Sequence, residues 1–486
     1  MQIYEEREKM EERLKEQSAY LDKIRGSIFG GAVGDALGYP IEFMGEEEIR
    51  NTFGPNGITK YKIDGLYAPI SDDTQMTLFT ANGLLVGETR ACMRGIGGRR
   101  AGYVAYAYQD WLLTQTKTYD DYIESGREHH SSWLCDEAWL YERRAPGLTC
   151  LSGLKRRKTD EVQGSFIKSP INESKGCGGI MRVAPVAMCK TNSIEALDME
   201  GAEVAAITHS HPLGYMPAAV LVHIINRIIY SPKMTLIEVI EEARDTVAKL
   251  FEGTAYVYDL VELINLAIEL AQNEDDDLDN IHTLGKGKCA EETLAIAIYC
   301  SLKYQKDFSK GIIVAVNHEG DSDSTGAVTG NILGAICGYS NISDKWKESL
   351  ELSDVILEIA DDLCYGCQMS EYSDYEDEIW RTKYISGERY DPTVYMPNPP
   401  KSERYGRLRF YKKDKDKKMW RVKALDMKGP HLFSFDGKKI YNYWCDYPDK
   451  LTPEEIEIFQ EENPYWANFQ EERKKKAQEI LIRVKR

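Results

Sequence analysis

An all-α main body followed by a small α+β unit is the fold class this sequence predicts, and three observations carry that prediction. Apolar residues recur at helical spacing from about Leu21 to Cys364, with little strand-like alternation. Composition then shifts: SEYSDYEDEIW is acidic and tyrosine-rich, and TVYMPNPPKSE carries three prolines within four residues. Beyond these, short β segments follow at 407–411, 419–425, 431–435 and 439–444, with Asp436-Gly437 as a hairpin turn.

In chain order, residues 1–20 read as a charged helical extension. Met10, Leu14, Leu21, Ile24 and Ile28 are spaced four, seven, three and four apart, which keeps them on one helix face. Residues 21–367 form the main domain, with clear helical periodicity at 218–229, 235–251, 255–274 and 291–304. Glycine clusters at 26–38, 176–179 and 320–338 read as breaks between helices. Prolines block helix and central strand alike, so 368–403 reads as a linker and 404–486 as a small α+β accessory domain. There Thr452 is the expected N-cap of a helix with Pro453 at its first position, and a last helix follows Pro464 into a basic tail.

Across the 486 residues mean hydropathy is −0.46, and the sequence reading finds no apolar run near the ~18 residues a membrane span needs. The N-terminus lacks the apolar core of a signal peptide, so the expected location is cytoplasmic. Eleven irregularly spaced cysteines fit reduced thiols. Lys plus Arg minus Asp plus Glu is 61 − 79 = −18, which disfavours nucleic acid as a partner except as a modified substrate.

Two acidic clusters lie among hydroxyls at the mouths of apolar helices: Ser71-Asp72-Asp73-Thr74, and Gly320-Asp321-Ser322-Asp323-Ser324-Thr325. Oxygen donors without a convergent His or Cys suit a hard cation such as Mg²⁺ or Mn²⁺. Ser71 and Asp72 suit plain helix caps equally well, and spacing alone does not bring the clusters together. The run Ser174-Lys175-Gly176-Cys177-Gly178-Gly179 would let backbone N–H groups approach an anion, although a tight turn explains it too.

In order along the chain, GSIFGGAVGDALGYPIEF, SDDTQMTL, RRAPGLTCLSGL, SKGCGGIMRVAPVAM, THSHPLG and GDSDSTGAVTGNILGAICG resemble ADP-ribosylglycohydrolases of the DraG type. The resemblance covers about residues 21–365, roughly 70% of the chain. It implies a compact all-α domain with two Mg²⁺ (or Mn²⁺) ions held by Ser71, Asp72, Asp73, Asp321, Asp323 and Ser324. Many relatives carry threonine where Ser71 and Ser324 stand. It further implies that Ser174, Gly176, Cys177, Gly178 and Gly179 line the diphosphate and ribose, with His209 near the nucleotide; a packing histidine is the plainer reading of His209. Glu42 matches a glutamate that some members use near the scissile bond.

The resulting expectation is a metal-dependent hydrolase that frees ADP-ribose from a mono-ADP-ribosylated target, arginine-linked first. A non-catalytic or antitoxin-like protein that binds ADP-ribose or a partner is the alternative. A protein partner would then engage the N- and C-terminal extensions.

Overall fold

The structure is a computed structural model and describes residues 2–95, 97–125, 130–157, 164–372, 377–389, 409–413, 419–423, 432–435, 439–442 and 446–462. Its residues group into two units. One comprises Tyr20–Cys367 with Glu378–Arg389, the other Met1–Ala19, Gln368–Asp377 and Tyr390–Arg486.

The first unit is helical. It begins within α1 (Gln2–Gly38), followed by α2 (Glu46–Phe53), α3 (Asp72–Arg94), α4 (Arg100–Thr116), α5 (Tyr119–Glu124) and α6 (Leu148–Arg156). Next come α7 (Ile194–Ala206), α8 (Pro212–Tyr230), α9 (Leu236–Leu250), α10 (Val257–Leu270) and α11 (Asp277–Leu284). Then follow α12 (Ala290–Lys303), α13 (Phe308–Val316), α14 (Ser322–Cys337), α15 (Asp344–Lys347), α16 (Ser353–Tyr365) and α17 (Glu378–Arg381). Local chemistry sets several starts. Thr118 with Asp121 and Thr235 with Glu238 form capping boxes, and Pro212 opens α8 at its first turn.

Helices α8, α12 and α14 contact one another and make the centre, flanked by α3–α4 and by α7, α9, α10 and α13. By length and composition α8 is apolar enough to cross a membrane, which corrects the sequence reading. Of its apolar window, 83% is buried inside the protein, so that apolarity serves the core.

The glycine clusters at 26–38 and 320–338 also require correction. Gly26, Gly30, Gly34 and Gly38 lie inside α1, and Gly326, Gly330 and Gly334 inside α14. They face each other in antiparallel register. A Cβ on Gly26 would lie 2.2 Å from the Gly334 carbonyl oxygen, on Gly30 2.4 Å from that of Gly330, and on Gly34 1.9 Å from that of Gly326. The four-residue spacing makes a flat stripe along which two backbones touch; local sequence shows the glycines but not the helix they face. Only the outer glycines act as boundaries, Gly338 ending α14 with φ +76°. Gly176–Gly179 does form a break, with a 3-10 turn at Cys177–Gly179.

The proposed linker changes in part. Within 368–403, residues Glu378–Arg389 pack with the helical unit. Trp380, Lys383 and Tyr384 are buried. Trp380 Nε1 donates to Thr89 Oγ1 at 2.7 Å, and Tyr384 donates to Asp362 Oδ2 at 2.7 Å. The acidic, proline-rich surroundings mask this aromatic patch. At the other boundary, α1 runs without a break through residue 20.

In the second unit β1 (Arg409–Lys413) pairs antiparallel with β2 (Met419–Lys423), and β3 (Leu432–Phe435) with β4 (Lys439–Asn442). Helix α18 (Pro453–Glu462) starts where expected. Glu455 N donates to Thr452 Oγ1 at 3.3 Å and Thr452 N to Glu455 Oε2 at 2.9 Å. The Asp436-Gly437 turn, residues 390–403 and the basic tail after Pro464 lie outside the described residues.

Candidate active site

The glycine seam sets the end of α1 against the start of α14: a Cβ on Gly38 would lie 2.3 Å from the Ser322 carbonyl oxygen. Glu42, just past α1, therefore meets Asp321 and Asp323. One carboxylate oxygen from each lies within 4.8 Å of the others. Asp321 occupies the N-cap position of α14, yet its side chain makes no cap hydrogen bond. Instead the Cys177 thiol donates to Asp321 Oδ2 at 3.1 Å.

The other acidic cluster is held by a residue the sequence reading did not single out. Asp35, wholly buried on α1, accepts from Ser71 N at 2.9 and 3.1 Å, from Thr74 N at 3.1 Å, and from the Thr74 hydroxyl. Burial raises it to about 6, opposed by those donors. Ser71 caps α3, accepting from Asp73 N at 3.2 Å. Asp72 Oδ2 accepts from Gly147 N at 3.0 Å. The available signal for Asp35 was a lone acid in the apolar, glycine-spaced stretch GAVGDALG.

These acids crowd one another. Burial, then Asp321, Asp72 and Asp35, push Glu42 up to about 8, and burial with Asp35 and Asp321 raises Asp72 to about 7. Asp73 and Asp323 stand well above the usual carboxylate range, first from burial and then from neighbouring carboxylates; a Ser324 hydrogen bond opposes this at Asp73. Asp73 Oδ2 and Glu42 Oε2 are buried with no hydrogen-bond partner. Leaving a buried anion unsatisfied is costly, and a divalent cation is the natural complement of such an oxygen-only donor set. The residues present thus fit a hard metal ion.

The glycine loop borders this cluster. Gly176 bridges to Cys289, and Cys177 N donates to Lys288 O at 3.2 Å. Gly176 N donates to Ser174 Oγ at 3.4 Å. The buried His209 packs under the loop, so a Cβ on Gly178 would lie 2.9 Å from both its Cε1 and Cys150 Sγ. Burial, then the Arg182 charge, depress His209 to about 3, so it is neutral at working pH. Its Nδ1 shares a 2.9 Å hydrogen bond with Thr208 Oγ1, to which Arg182 donates at 2.6 Å. Beside Ser174, the rings of His211 and Tyr256 lie 4.8 Å apart, with Tyr256 half-exposed and held at φ +65°. Neither ring was singled out from sequence, where one tyrosine among 30 carries no signal.

All thirteen candidate positions from the sequence therefore fall in two adjoining groups: Glu42, Ser71, Asp72, Asp73, Asp321, Asp323 and Ser324 at the carboxylates, and Ser174, Gly176, Cys177, Gly178, Gly179 and His209 around the glycine loop. Cys177 joins the groups through its thiol.

The chain is similar to several known proteins. The chain is 24% identical over 349 residues to an ADP-ribosylarginine hydrolase of Serratia proteamaculans, covering 72% of this chain and 81% of that one. It is 23% identical over 343 residues to the ADP-ribosyl-[dinitrogen reductase] glycohydrolase of Rhodospirillum rubrum, covering 68% and 91%. A solved chain titled ADP-ribosylglycohydrolase-related protein complex aligns over 71% of this chain and 98% of its own, with 22% identity and a TM-score of 0.48. Residues 410–474 match a separate family of unknown function (DUF7675). The ADP-ribosylglycohydrolase family model matches residues 16–372, and the chain belongs to that family of hydrolases.

Proposed function

We propose that the chain hydrolyses mono-ADP-ribosylated protein, with arginine-linked ADP-ribose as the substrate, in the cytoplasm. The carrying observation is the buried oxygen-only cluster with its partnerless Asp73 Oδ2 and Glu42 Oε2. The arginine linkage follows the name of the Serratia relative.

Ser71, Asp72, Asp73, Asp321, Asp323 and Ser324 would hold two Mg²⁺ ions, with Mn²⁺ as a substitute. When bound, such ions orient ribose hydroxyls and lower the pKa of water. The remaining work belongs to the chain. The glycine loop, bare of large side chains, lets the diphosphate approach its backbone closely, although the N–H groups of Gly176 and Cys177 already bond Ser174 Oγ and Lys288 O. His211 and Tyr256 offer ring faces to the adenine. Neutral His209 adds no charge beside the nucleotide. Glu42, on the cavity side of the carboxylates, moves the proton between water and the leaving nitrogen. Water adds to the anomeric carbon as the C–N bond breaks, yielding ADP-ribose and unmodified arginine. The positive character that develops at that carbon is offset by the surrounding carboxylates.

The test is incubation with ADP-ribosylated arginine peptide, serine peptide and DNA, with Mg²⁺ or EDTA, and mass spectrometry of the products. Mg²⁺-dependent release of intact ADP-ribose is expected from the arginine peptide, with Glu42→Gln lowering kcat by about 10²- to 10⁴-fold. Asp323→Ala abolishes release. A folded protein that releases no ADP-ribose from any of the three overturns the reading. In a second reading the terminal extensions bind a partner; residues 410–474 fall outside the hydrolase family match and belong to a separate match. Partner loss on deleting either extension, with hydrolysis retained, supports it.

A further inference from the structure

A cavity of about 520 Å³ opens beside Glu42 and Asp321, and Phe43, Lys286, Lys288 and Glu319 help line it. The strand-like segment carrying the two lysines is the one bridged to the glycine loop, through Cys177 N to Lys288 O at 3.2 Å and Ala290 N to Lys175 O at 2.9 Å. Its backbone is locked. Gly287 sits at φ +70°, and Thr293 Oγ1 donates to its carbonyl at 2.7 Å. The Lys288 side chain is exposed.

Other cations around the site are committed. Lys286 pairs with Glu319, Lys175 with Glu291, and Arg144 with Glu351 at 2.9 Å. Arg182 is buried against Thr208 and the Tyr108 ring. Among the described residues that line the cavity, Lys288 is the cation with no salt bridge, although its charge helps the closer Lys286 hold the Glu319 carboxyl below its usual range. Its setting makes such a cation consequential. A diphosphate carries about two negative charges, and Glu42 and Asp321 on the same cavity wall offer it no positive charge.

We propose that Lys288 is a positioning residue whose ammonium pairs with the diphosphate of the bound substrate beside the glycine loop. This rests on the ADP-ribose reading above. A lysine serves here as a mobile point charge, closing over the phosphates once they sit on the loop. It acts on binding and leaves the bond-breaking step to Glu42 and the carboxylates.

The test is calorimetric binding of ADP-ribose and of adenosine, which lacks phosphate, to Mg²⁺-loaded wild-type, Lys288→Ala and Lys288→Arg protein at low and high salt. Lys288→Ala weakens ADP-ribose about 5- to 20-fold at low salt, less at high salt, and leaves adenosine within about twofold. Lys288→Arg keeps ADP-ribose within about threefold. With ADP-ribosylated arginine peptide, KM rises in Lys288→Ala while kcat stays within about twofold. A merely structural role would weaken both ligands together. Wild-type protein that binds ADP-ribose while Lys288→Ala binds it as tightly overturns this assignment alone. Wild-type protein that binds no ADP-ribose overturns the functional reading and this proposal with it.

Discussion

A single methyl group at Gly34 tests whether the α1–α14 seam builds the site. In Gly34→Ala the new Cβ would lie 1.9 Å from the Gly326 carbonyl oxygen, 2.3 Å from its carbon and 3.0 Å from Ala327 N. Ordinary contact begins at about 3.4 Å, so the helices must part by more than about 1 Å. All three obstacles are backbone, and no rotamer change relieves them. Overpacking a core costs about 1–3 kcal/mol, and a backbone collision belongs at or beyond the upper end. About 3 kcal/mol lowers Tm by roughly 4 °C for a unit of this size. The same shift draws Asp321 and Asp323 away from Glu42, and metal sites tolerate only about 0.2 Å of error in their ligand distances. Mg²⁺ affinity, read by calorimetry, should therefore fall at least about tenfold. Gly102→Ala is the contrast: it lies on α4 with nothing within 4 Å of a Cβ, and should stabilise by about 0.5–1 kcal/mol. If Gly34→Ala melts with the wild type and binds Mg²⁺ equally well, the seam does not place the carboxylates as argued.

Two further expectations follow from the buried groups. Glu42, raised to about 8, and Asp72, raised to about 7, hold protons in the folded metal-free protein that the unfolded chain has released by about pH 5. Their folded-state stability is thus fully present at low pH and lost as pH rises through 7–8. His209 adds nothing to this window, being neutral in both states above pH 7. In EDTA, Tm should fall between pH 7.0 and 8.5, and saturating Mg²⁺ should flatten or reverse that slope. A Tm that rises in EDTA over this range refutes the crowding argument. Trp380→Ala should cost about 3–5 kcal/mol in urea unfolding, through loss of a buried indole and its bond to Thr89. No change would place Glu378–Arg389 outside the helical core.

Periodicity and end signals are local properties, and they were legible. The all-α class, the helix begun by Ser71-Asp72, the β-hairpin region and the Thr452 cap all follow from neighbours within a few residues. The two acidic clusters and the glycine loop stood out for the same reason, since each is a short run of unusual composition. Residues 378–389 did not, because a Trp–Lys–Tyr patch inside an acidic, proline-flanked stretch resembles linker until its helical partner is in view.

By itself, then, the sequence marked most of the candidate residues for chemistry and the helical stretches that follow them. Tertiary structure alone decided that Glu42 meets Asp321 and Asp323 across the glycine seam. It also decided that Asp35 fastens the loop bearing Asp72 and Asp73, and that the Cys177 thiol turns to Asp321. The reason is physical. A glycine every four residues specifies a surface another backbone can touch, but the partner helix lies nearly 300 residues away, and only packing selects it.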